Sequence, residues 1–109
     1  MKHHEERYPG LILQELSGII MRELEFPGAL VTLTNARIAG ENEEFAEVFV
    51  ATYPSEKSSE VLKMLNKEAT KLQWQLLKKL GKRSVPRMRF VIDRGNENAA
   101  RVEKAFLDG

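Results

Sequence analysis

The sequence predicts an α+β sandwich in which helices pack on one face of a small three-stranded sheet. Three observations lead there. Apolar residues recur at three- to four-residue intervals in two long stretches, and three other stretches are rich in β-branched residues or alternate apolar with polar. The resulting order is helix, strand, strand, long helix, strand, helix, which suits two layers with the helices on one side. With 109 residues the chain has room for one core, so 1–109 reads as a single domain.

Each element has its own signature. Leu11, Ile12, Leu16, Ile19, Ile20 and Leu24 mark an amphipathic helix, with Glu15, Arg22 and Glu23 between them and Pro27-Gly28 ending it. Ala29 to Ile38 reads as a strand, Gly40-Glu41-Asn42-Glu43 as a polar turn, and Phe45 to Tyr53 as a second strand. In that second strand Ala46, Val48 and Val50 face one way and Glu47 and Phe49 the other. The short polar loop between the two strands predicts an antiparallel hairpin.

Pro54-Ser55 closes the hairpin, and a long helical pattern follows from about Glu56 to Leu80. Its buried stripe is Val61, Leu62, Leu65, Ala69, Leu72, Leu76 and Leu80, and Gly81 stands where a helix C′ glycine belongs, after Lys78 and Lys79. Val85-Pro86 forces extended geometry, and Arg87 to Asp93 alternates Met88, Phe90 and Ile92 against Arg87, Arg89 and Val91. Gly95-Asn96 offers a turn and an N-cap for a short last helix, Glu97 to Leu107.

Composition narrows the function classes. No apolar run approaches the roughly 20 residues needed to span a bilayer, and Met1 to Glu6 has no apolar h-region of a secretory signal. The absence of cysteine excludes disulfides and thiolate metal sites, as suits a cytoplasmic protein. The net charge of +1 hides a division along the chain: residues 1–56 balance at −6, residues 57–94 at +8 and the remainder at −1. A local excess of that size attracts polyanions whatever the total. A solvated helix face is the plainer explanation, but this excess continues from a helix through a loop into a strand.

Signals for catalysis are poor. His3 and His4 are the only histidines, and adjacent helical positions point apart, which makes a poor metal pair. Glu43 and Glu44 sit in a turn with no partner acid, and the chain has no Gly-rich phosphate loop, nucleophile elbow or HExxH. No enzymatic activity, metal or cofactor is expected.

Signals for binding are better. Lys63, Lys67, Lys71, Trp74 and Lys78 are spaced to form one stripe opposite the apolar face of the long helix. Lysines there would meet phosphates, and the indole of Trp74 would stack on a base. A lone Trp on a helix is nevertheless more often core, and a bend near Ala69-Thr70 would turn it inward. A second cluster, Lys78, Lys79, Lys82, Arg83, Arg87 and Arg89, runs from the helix end along one face of the last strand. Charge protects exposed sheet edges, yet about three charges suffice for that and six are present. These cations are expected to converge on one platform, with the glutamates of the first half clear of it.

The layout resembles the ribosome-binding factor A family, bacterial factors that help mature the small ribosomal subunit. The likeness spans roughly residues 7 to 107. It is carried by Glu25-Phe26-Pro27-Gly28 with Val31-Thr32, by Ala46-Glu47-Val48-Phe49-Val50, and most specifically by Val85-Pro86-Arg87-Met88-Arg89-Phe90 followed by Asp93. That last segment is similar to the family's Val-Pro-x-x-x-Phe-x-x-Asp strand. The resemblance implies a type II KH-like RNA-binding fold whose long helical region is split by a kink. Where the family carries Ala-x-Gly at that kink, this chain has Ala69-Thr70-Lys71, without the glycine. It also implies an RNA-binding surface at Lys67, Lys71, Lys78, Lys79, Lys82, Arg83, Arg87 and Arg89. The implied role is in ribosome biogenesis: a monomer binding 16S rRNA of the free 30S subunit late in maturation and rRNA processing, with release by an assembly GTPase. The competing reading is a protein–protein adaptor that docks a basic partner on Glu41, Glu43, Glu44 and Glu47, and nuclease treatment before a pull-down separates the two.

Overall fold

In the computed structural model, which describes residues 2–82 and 85–93, the second strand decides the architecture. The elements are α1 (Lys2–Glu23), β1 (Leu30–Ala39), β2 (Phe45–Tyr53), a 3-10 turn (Ser55–Lys57), α2 (Ser58–Lys67), α3 (Ala69–Leu80) and β3 (Arg87–Ile92). The sheet order is β1-β2-β3, with β2 antiparallel to β1 and parallel to β3. A parallel neighbour cannot be reached by a tight turn, so the chain must cross over the sheet, and α2 and α3 are that crossover. Ala46, Val48 and Val50 are fully buried beneath the helices, as the alternation in β2 predicts.

The core forms between this face and three helical stripes. Ile12, Leu16, Ile19 and Ile20 come from α1, Val61 and Leu65 from α2, and Leu72 and Leu76 from α3. They meet Ala46, Val48 and Val50 of β2, Met88 and Phe90 of β3, and Val85 before it. Helix α1 begins at Lys2 and runs through Pro9, well ahead of the apolar stripe that starts at Leu11. Periodicity reports where a helix buries surface, not where helical backbone begins. The last helix and its Gly95-Asn96 turn, expected over 95–107, lie outside the described residues.

Two irregularities shape the layers. In β1 the register shifts between Leu33 and Asn35, leaving Thr34 as one extra residue opposite β2. Leu33 pairs with Val50 and Ala36 with Val48, so both halves of β1 turn their apolar residues to the helices. Without the bulge, residues three apart would face opposite ways. The Thr34 hydroxyl donates to Asp93 Oδ2 at 2.5 Å, tying β1 to the end of β3 across the central strand.

The second irregularity splits the long helical region at Glu68, just ahead of Ala69-Thr70-Lys71. Glu68 has φ −92° and ψ 4°, its N–H donates to Met64 O at 3.0 Å, and its carbonyl accepts from Leu72 N at 2.9 Å. That φ is open to any L-residue, so the break forms without the family's glycine. Gly81 does adopt the left-handed conformation (φ 65°, ψ 31°) that ends α3, as its position predicts.

Deleting Thr34 would close the bulge into a regular ladder that keeps Leu33 opposite Val50 and Ala36 opposite Val48, so the variant should fold with the same core. It loses the hydroxyl's hydrogen bond to Asp93, worth about 1.5–3 kcal/mol for a charged partner, and the urea midpoint should fall accordingly. A variant that fails to fold, or one with the parental midpoint, would overturn this account of the strand.

Candidate nucleic-acid interface

Helix α3 presents its cations by simple geometry. Leu72 and Leu76 point into the core, and at 100° per residue Trp74 falls on the opposite side of the helix. Trp74 is 61% exposed, so the commoner core placement does not hold here. The bend at Glu68 precedes α3 and leaves the helix straight through Trp74. Lys71 and Lys78, three residues before and four after it, are exposed on the same side. Lys67 is exposed at the end of α2, immediately before the break. Within α3 there is no acidic residue at all, and no side chain caps its N-terminus.

Arg87 and Arg89 lie elsewhere. They alternate with buried Met88 and Phe90 along β3, so they project from the sheet face that the helices leave open. The Arg89 guanidinium lies over the Phe45 ring, 4.3 Å from its centroid. The expected single platform is therefore divided: Lys67, Lys71, Trp74 and Lys78 on the helix layer, Arg87 and Arg89 on the sheet layer. Lys79 and Lys82, both exposed, stand at the end of the molecule where the chain passes between layers. Arg83 lies outside the described residues.

That end also brings opposite charges together. A cleft of about 520 Å³ has Glu43, Glu44, Lys82, Val85, Pro86 and Arg87 in its lining. Arg87 N donates to Glu44 O at 2.9 Å, so the β1–β2 turn is fastened beside the basic segment. The glutamates thus do not all stay clear of the cations. Glu44 is used within the turn, accepting from Asn42 N at 3.0 Å, while Glu47 pairs with Arg37 on the open sheet face and its side chain is only 16% exposed. Glu41 and Glu43 remain exposed. Among the described residues no group of three or more His, Asp or Glu side chains converges on a metal-sized site. No helix among them is long and apolar enough to cross a membrane.

The sequence and the fold both match known proteins. The family model for "Ribosome-binding factor A" matches residues 4–106. The chain belongs to the ribosome-binding factor A family. Two relatives of that name, from Opitutus terrae and Acinetobacter baylyi, are 28% and 31% identical. The first alignment covers 94% of this chain and 84% of the relative, the second 94% and 87%. The crystal structure of ribosome-binding factor A from Thermus thermophilus superposes with a TM-score of 0.58 at 19% identity, covering 85% of this chain and 96% of that one. A Thermus thermophilus homology model, fitted into a cryo-EM map of a 30S complex, gives 0.61 at 22% identity, covering 85% and 94%. These structures share the α+β fold described above.

The ribosome-binding factor A strand motif now has a physical account. Val85 and Phe90 are buried, and Asp93 accepts from Thr34 while its N–H donates to Val50 O at 2.9 Å. The motif locks an edge strand in place. Sequence reasoning turned the lysines of α3 outward, as the structure has them, and put Phe49 on the outer side of β2, but missed that Phe45 and Tyr53 stand on that side with it. The same alternation would have shown it.

Because Trp74 packs on nothing in the core, Trp74→Ala should change the urea-derived stability by no more than about 0.5 kcal/mol. Its emission should match that of tryptophan in water. A larger loss, or a blue-shifted spectrum, would show the indole to be packed.

Proposed function

We propose that this chain is a ribosome assembly factor that binds 16S rRNA of the small subunit during late maturation, using the outward face of α2 and α3. The single observation that carries this reading is an acid-free helix with Lys71, Trp74 and Lys78 exposed on one side, starting directly at the break after Lys67. Family membership supports it, as does the Thermus thermophilus relative fitted within a 30S complex.

The chemistry follows from residue types. The N-terminus of α3 carries the positive end of its dipole, which favours a phosphate there, flanked by Lys67 and Lys71. Lysine supplies charge on a flexible stem and suits backbone contacts that fix register rather than sequence. Where the family's glycine would bring backbone close to RNA, Lys71 supplies an ammonium group instead. Lys79 and Lys82 extend the track past the C-terminus of α3. The exposed indole adds stacking on an unpaired base.

No turnover is needed for such a factor to act. Binding an immature rRNA arrangement more tightly than the mature one shifts the population toward it, until maturation weakens the contact. Release driven by an assembly GTPase fits that scheme, since a partner that remodels the subunit removes the preferred arrangement.

Contacts by Lys67, Lys71, Lys78, Lys79 and Lys82 would give a log–log salt slope of roughly −3.5 to −4.5. Lys71→Glu with Lys78→Glu should shallow the slope by about 1.5–2 and remove the protein from the free small-subunit fraction of a sucrose gradient. Its thermal midpoint should stay near the parental one, since both side chains are exposed. Continued comigration of that variant with small-subunit precursors would overturn the proposed face.

A further inference from the structure

We propose that the uncovered face of the sheet is a second RNA-contacting surface, one that takes unpaired bases by stacking. This rests on the RNA-binding reading above but uses the opposite side of the molecule. Among the described residues no element packs on this face. The central strand aims Phe45, Phe49 and Tyr53 out of it at four-residue steps, about 13 Å apart along the strand. Tyr53 is 74% exposed and sits across from Leu30, itself 71% exposed.

The charges on this face favour a polyanion. Arg37, Arg87 and Arg89 are all exposed here. Arg37, Glu47 and Arg89 are directly aligned across the three strands, so the one carboxylate in that row is flanked by two guanidinium groups. Glu47 is mostly covered and paired with Arg37, and therefore presents little negative charge. Asp93, at the far end, accepts from Thr34.

Residue type separates the two layers. Every basic residue in α2 and α3 is lysine, and every basic residue in the three strands is arginine. Arginine is the cation that stacks, its planar guanidinium lying against rings and bases, and Arg89 already does so over Phe45. Protection of the sheet edges accounts for charge on β1 and β3, but not for three aromatic rings turned outward on the central strand. A neutral apolar partner would account for the rings and not for the arginines. Rings on one strand with flanking arginines fit a single strand of RNA, whose bases offer π-faces and whose phosphates offer charge.

The full chain is titrated with a short single-stranded oligouridylate and, separately, with a perfect RNA hairpin. Side-chain NMR follows the Phe49 and Tyr53 rings, and fluorescence follows Trp74, the only tryptophan, on the opposite layer. The oligouridylate should shift the Phe49 and Tyr53 rings whether or not it also stacks on Trp74. Tyr53→Ala or Phe49→Ala should each weaken its binding by about 5- to 100-fold, and the hairpin should bind both variants as it binds the parent. Arg89→Lys, which keeps the charge and loses the planar group, should also weaken the oligouridylate. Tyr53 lies outside the core, so its variant remains informative even if Phe49→Ala disturbs the sheet. The inference is overturned if the oligouridylate quenches Trp74 without moving Tyr53, or binds the Tyr53→Ala variant like the parent. If Lys71→Glu with Lys78→Glu loses the hairpin while the oligouridylate never binds, only this inference falls. If neither RNA binds the parent at low salt, the functional reading falls with it.

Discussion

Parallel pairing of β2 with β3 is the constraint from which the rest of the structure follows. Two parallel neighbours force the chain to return across the sheet, and the returning segment must bury its backbone bonds within itself. Helices α2 and α3 meet that need, and their apolar stripes land on the side where Ala46, Val48 and Val50 already point. Among the described residues, one side of the sheet is thereby sealed and the other left open. Every functional statement about this protein depends on which side a residue falls.

The Val85-to-Asp93 segment holds that pairing in place. Phe90 is among the largest fully buried side chains, and its N–H lies 3.3 Å from Asn66 Oδ1 of α2, so the edge strand is attached to the crossover that delivers it. At the other end Asp93 reaches both β2 and β1. What looks like a recognition motif is in the first place a structural latch. Its two arginines occupy the outward positions that the latch leaves unconstrained.

The electrostatics follow from the same division. A chain with net charge +1 presents a lysine-bearing helix layer, an arginine-bearing open sheet, and one end where Glu43 and Glu44 share a cleft with Lys82 and Arg87. Cations on opposite layers do not add into one field at physiological salt, where screening acts over about 8 Å. The helix layer therefore presents its positive charge separately from the sheet layer.

Much of this was legible in the sequence. Strict alternation in Phe45 to Tyr53 and Arg87 to Asp93, with the three- to four-residue stripes of the helices, determined the elements, the core residues and the outward placement of the lysines. These are local matters, set by backbone period and by water's exclusion from apolar surface. Three features were decided only by tertiary structure. The bulge at Thr34 exists because both halves of β1 must face one core, which no local pattern reveals. Trp74 stays exposed because the break falls at Glu68, ahead of α3, and propensity cannot place a one-residue irregularity. The lysines and the arginines part company because they sit on different layers, and a linear count of charge contains no information about which side of a sheet each one occupies.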